Sequence, residues 1–158
     1  MVAFVFLVSF RVSPPQQLQL NSQRTSTQTK PQTVLDCNQR NAYIEIVNPL
    51  VIEAVTLVNE ASTTRNYGGG HLKINQSFSA LTRVPNDTIV ASADINSITT
   101  ELLSAAHGLL KAGDNESYTA ISQRDYTHVD NRLPAFNELV TQYNSKVNTQ
   151  CGITEQEQ

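Results

Sequence analysis

A chain of 158 residues with 39% apolar side chains has the length of one domain and enough material for a single core. Ser, Thr, Asn and Gln together number 56, against 16% charged residues, so the surface is chiefly uncharged and polar, a composition that leans toward an extracytoplasmic setting. A net charge of −3 and the absence of Trp exclude the basic, aromatic-studded footprint of a duplex nucleic-acid binder.

The chain opens on M-V-A-F-V-F-L-V-S-F, residues 1–10. A membrane-spanning helix takes about 20 apolar residues and a secretory signal core about 7 to 15, so the length fits export. No basic residue precedes the run and no small-x-small triplet follows it, as a truncated gene start would produce; the competing reading is a buried strand. Residues 1–12 are read as a signal peptide or N-terminal anchor, the chain's one contact with a membrane. Residues 13–35, rich in Pro, Gln and Thr, lack the apolar side chains that order a segment and are read as a disordered linker. This stretch is also basic. Residues 1–35 carry three positive charges and no acid, whereas residues 36–152 carry eight basic and twelve acidic groups; residues 153–158 form a short acidic tail.

Between residues 36 and 152 the apolar spacing is helical and strand signals are sparse. Tyr43, Val47, Leu50, Ala54, Leu57 and Ala61 follow one stripe, flanked by Ile44, Val51, Val55 and Val58, and predict a helix over about 38–65 kinked at Pro49. Gly68, Gly69 and Gly70 are read as its terminator; a phosphate cradle would need a preceding strand. Ile74, Phe78, Leu81 and Val84 predict a short helix before Pro85. Asn86 is placed as the cap of a third helix along Ala91, Ile95, Ile98, Leu102, Ala105 and Leu109, closed by Lys111 and Gly113. A fourth helix, capped by Asp114 or Asn115, runs through Ser122, Tyr126, Val129, Leu133, Phe136, Val140, Tyr143 and Val147, across Pro134.

The two cysteines bracket this array: Cys37 before the first helix and Cys151 after the last. In an exported chain such a pair predicts a disulfide, whose Cα atoms must lie within about 7 Å. Both ends of the array then share one pole, which demands an even number of passes. The expectation is an all-α, antiparallel up-down four-helix bundle, residues 66–85 supplying the second pass.

Catalytic signatures are absent from the sequence. Asp125 and His128 have the i, i+3 spacing of half a di-iron site, but no second pair accompanies them, and solvated polar residues explain them better. No metal site, no G-x-S-x-G elbow and no cofactor is expected. The reading is an exported or cell-surface, non-enzymatic binding or envelope protein, whose partner would be a protein or an envelope component. Two alternatives accompany it: a carrier of an apolar ligand or haem in the bundle core, with His107, Tyr118 or Tyr126 as candidate ligand-binding residues, and an inhibitor or adaptor that binds another protein. Three N-x-S/T sequons, at Asn75, Asn86 and Asn115, are no more than composition predicts.

Overall fold

The computed structural model describes residues 34–149. The signal or anchor at 1–12, nearly all of the 13–35 linker, Cys151 and the 153–158 tail lie outside the described residues. Six α-helices and one 3-10 turn make up the described chain, with no strand among the described residues: α1 Val34–Thr64, α2 Gly70–Leu81, α3 Asn86–Ala91, α4 Ala93–Ser117, α5 Thr127–Asp130 and α6 Leu133–Asn148. The fold is all-α, as the periodicity requires.

α1 is continuous through Pro49. Proline removes one backbone bond, the one its N–H would have made to the Glu45 carbonyl, and both residues lie on the exposed side of the helix, where such a loss costs least. The buried line of α1 is Tyr43, Val47, Val51, Ala54, Val58 and Ala61. Leu50 and Leu57, assigned from the sequence to the centre of the stripe, are only half-buried.

α4 is the central element, packing against α1, α2 and α6. It contributes Ile95, Ile98, Leu102, Leu103, Ala106, Leu109 and Leu110 to the core, opposite Ile74 of α2 and Phe136 and Tyr143 of α6. At about 1.5–3 kcal/mol for each large aliphatic or aromatic side chain buried, this cluster is the main source of stability.

Four boundaries differ from the sequence reading. First, the triple glycine does not end α1. The helix stops at Thr64, and Arg65 takes the left-handed conformation at φ 56° that glycine usually occupies after a helix. Its side chain makes a bidentate pair with Asp130, at 2.5 and 2.8 Å, and lies 5.4 Å from the centre of the Tyr126 ring, contacts that offset the backbone cost. Gly69, at φ 69°, instead starts α2.

Second, the third helix is broken. Asn86 does not cap it; Pro85 occupies that position, and α3 ends at Ala91, followed by Ser92, whose φ of −127° and ψ of 27° turn the chain before α4 begins. The break lets α3 lie against α1, where Gln39 Nε2 donates to Asp87 Oδ2 at 3.1 Å.

Third, Gly113 does not close α4, which runs on to Ser117, so neither Asp114 nor Asn115 caps a following helix. Gly113 is glycine because the Tyr67 ring lies on it. A methyl group there would overlap Cγ, Cδ1 and Cδ2 of the ring, the last at 2.7 Å. α4 is closed by Arg124, whose Nη2 donates to the Ser117 carbonyl at 2.6 Å and whose Nε donates to that of Thr119 at 3.1 Å, a cation serving the negative end of the helix.

Fourth, the long last helix is in fact a 3-10 turn at Ile121–Gln123, the single turn α5, and α6. Pro134 sits in the first turn of α6, where a missing N–H costs nothing. Ser122 falls in phase with the apolar stripe but is exposed, whereas Val129, Phe136 and Tyr143, spaced by seven, are the buried positions.

The start of α1, the start of α4 and the end of α6 meet at one place. Arg40 Nη1 donates to Asp94 Oδ1 at 2.7 Å, and its Nη2 donates to Asp94 Oδ2 at 3.3 Å and to the Lys146 carbonyl at 3.0 Å. Close by, the Tyr43 hydroxyl donates to Asn96 Oδ1 at 2.7 Å. Burial pushes that hydroxyl's pKa up to about 12, and it stays protonated.

Candidate binding cleft

Apart from the Arg40 seam, polar residues gather in two places. Where α2 crosses α4, His71 Nδ1 lies 3.4 Å from Asp114 Oδ2, and the His71 ring meets His107 edge-on with ring centres 5.8 Å apart. Burial, reinforced by the neighbouring His71 and Lys111, lowers the His107 pKa and favours the neutral ring. Among the described residues no group of three or more His, Cys, Asp or Glu is arranged to hold a metal ion.

Beside the α1–α2 turn, Tyr126 stacks on Tyr67 at 5.3 Å with the Arg65 guanidinium over the Tyr126 ring, and the Tyr126 hydroxyl is buried without a hydrogen-bond partner among the described residues. Asp130 is held below the usual carboxylate range by the Arg65 hydrogen bonds. Asp125 and His128 stand in solvent. The His128 Nδ1 faces the Asp125 backbone carbonyl at 3.1 Å, while the Asp125 carboxylate accepts from the Thr127 amide, which lowers its pKa.

The three candidate ligand residues do not converge. His107 faces α2, Tyr126 is stacked on Tyr67, and Tyr118 is 84% exposed at the end of α4. None of them lines the concavity formed among the described residues between α4 and α6.

That concavity is a half-open cleft of about 310 Å³ between α4 and α6, lined by Ser104, Ala105, Gly108 and Leu109 on one side and Arg132, Ala135, Phe136 and Leu139 on the other. It exists because small side chains oppose each other where the helices pack. A Cβ built on Gly108 meets nothing within 4 Å, so the empty space reaches the α4 backbone. Phe136 and Leu109 form a buried floor, and Arg132 is the one charged residue among the lining side chains. The apolar periodicity puts Ala105, Leu109 and Phe136 on core stripes and gives no sign of Ser104, Gly108, Arg132, Ala135 or Leu139 as cleft residues. A small residue at 104, 105 and 108 on one helical face was the available signal.

Comparison of the chain with protein-family models, with curated proteins and with solved structures gave no match.

Proposed function

We propose that the chain is an exported or cell-surface, non-enzymatic binding protein that carries an apolar ligand in the α4–α6 cleft. The observation that carries this reading is the cleft itself: a concavity of about 310 Å³ with an apolar floor and an empty approach at Gly108. Its half-open form suits a ligand laid along the groove rather than one sealed in the core, and it offers no axial ligand for haem.

The same reading takes the helices as four antiparallel passes, α1, α2 with α3, α4, and the α5–α6 segment, pinned by a Cys37–Cys151 disulfide. Supporting it, Arg40, one turn beyond Cys37, hydrogen-bonds the carbonyl of Lys146, five residues before Cys151. Export rests on the apolar start, the polar linker and the cysteine pair together.

A fluorescent, uncharged apolar probe tests the function, and the lack of Trp keeps the protein's own emission low. Binding is expected to be saturable and to disappear in Gly108→Phe, whose ring fills the cleft. A probe that binds wild type and Gly108→Phe equally, or does not bind at all, overturns the carrier reading. A second reading, docking onto another protein, is favoured by Tyr118 and Ile121, 84% and 82% exposed on the turn after α4.

A further inference from the structure

We infer that the ligand of the α4–α6 cleft is a free medium-chain carboxylate, its alkyl tail along the groove and its head group on Arg132. This inference rests on the carrier reading above and adds the chemistry of the head group.

The cleft is chemically polarised. Arg132 stands at the end where α6 begins, and Leu139 with Ser104 lies toward the other. Between these ends one face is Ala135 and Phe136; the other is Ala105, Gly108 and Leu109. At about 1.5 Å rise per residue, the seven positions from Arg132 to Leu139 span about 10 Å, the length of a medium alkyl chain and too short for a long one lying straight.

The Arg132 end favours an anion for two reasons. The guanidinium makes no salt bridge or side-chain hydrogen bond among the described residues, in contrast to Arg40, Arg65 and Arg124, each of which is committed to partners. The first turn of α6 carries no acidic residue, and no side chain caps it, so the positive end of the helix dipole adds to the same corner. Asp130, the nearest acid in sequence, is occupied by both Nη atoms of Arg65. A carboxylate matches a guanidinium through two parallel N–H···O bonds, which an alcohol or ester head group cannot form.

The groove should therefore discriminate by charge as well as by length. Loss of a charge-assisted hydrogen bond weakens binding about tenfold to hundredfold, and each methylene buried strengthens it about fourfold.

The experiment is competition of the uncharged fluorescent probe from the full-length, oxidised protein by decanoate and by decanol, both as monomers in solution. Decanoate is expected to displace the probe at least about tenfold more effectively than decanol in wild type. Arg132→Gln should remove that preference and leave decanol unchanged, and Arg132→Lys should restore part of it. Arg132 is exposed, so neither substitution disturbs the core, and circular dichroism of each variant is the check that it is folded. Equal displacement by decanoate and decanol in wild type overturns the carboxylate inference and leaves the carrier reading standing. Displacement by neither, with probe binding insensitive to Gly108→Phe, overturns both. Retention of the protein on anionic lipid vesicles with no response to monomeric decanoate replaces the free acid by a membrane surface and also overturns the inference.

Discussion

Two glycines in α4 should respond in opposite directions to the same substitution. At Gly113 an added methyl overlaps three carbons of the Tyr67 ring, which is itself 2% exposed and held by its stack on Tyr126. Carbon atoms pack at about 3.5–4.0 Å, so the ring must retreat by about 1 Å, against the stack that holds it on Tyr126. Overpacking of this kind costs about 1–3 kcal/mol, and loss of the aromatic stack adds about 0.5–1.5 kcal/mol. Replacing glycine in a helix interior returns about 1 kcal/mol. The net for Gly113→Ala is a loss of about 0.5–3.5 kcal/mol, or roughly 2 to 14 °C in Tm at about 4 °C per kcal/mol for a domain of this size. Gly108→Ala meets no atom, so only the helix term remains, and Tm should rise by about 2–4 °C. Thermal and urea unfolding followed by circular dichroism measure both. Tyr67→Leu should make Gly113→Ala less harmful, because the two changes share one contact. A Gly113→Ala protein as stable as wild type, or a Gly108→Ala protein as damaged as Gly113→Ala, would refute the account of why α4 carries glycine at these positions.

Reduction of the proposed Cys37–Cys151 bridge, or its replacement by serines, should lower stability by about 4–5 kcal/mol in the chain-entropy account, with no thiol reacting in the untreated protein. Thiol titration before and after denaturation checks the bridge directly. Stability against pH should form a plateau with two shoulders. The His107, Asp94 and Asp130 pKa values are all lowered in the fold: burial depresses His107; at Asp94 the Arg40 hydrogen bond and charge outweigh burial; Arg65 holds Asp130 down. The unfolded chain then binds more protons, so stability falls as pH drops below 6.5 and falls again below 3.8. The Tyr43 and Tyr143 hydroxyls are raised by burial, so their contribution is complete below pH 10 and is lost as pH climbs, for Tyr43 through about 12. Urea midpoints between pH 3 and 11 test the shape; a maximum below pH 5 would contradict it.

The helices were legible where their partners are regular. α1 could be read from its own residues, since the buried Tyr43, Val47, Ala54 and Ala61 repeat with the helical period. What the sequence hid depends on remote residues. Gly113 looks like a terminator until Tyr67, far away in the chain, is laid across it. Ser122 and Tyr126 match the period of α6 by coincidence, while Arg124, reaching back to Ser117, fixes a turn in that stretch. The His71–Asp114 contact joins residues from two helices. The cleft was invisible for a further reason: it is made by what Gly108, Ala105 and Ala135 lack, and missing volume leaves no mark in an apolar pattern.

The Arg40 seam has a consequence for how the chain matures. Arg40 is separated from Asp94 by 54 positions and from Lys146 by 106, so its guanidinium waits, buried in prospect but solvated in fact, until almost the whole polypeptide has emerged. Closing so distant a contact is entropically slow, whereas neighbouring turns of α2 and α4 can assemble as soon as they are made. Vectorial synthesis thus supplies the latch last, and a chain cut before residue 146 would lack the carbonyl that the Arg40 guanidinium needs.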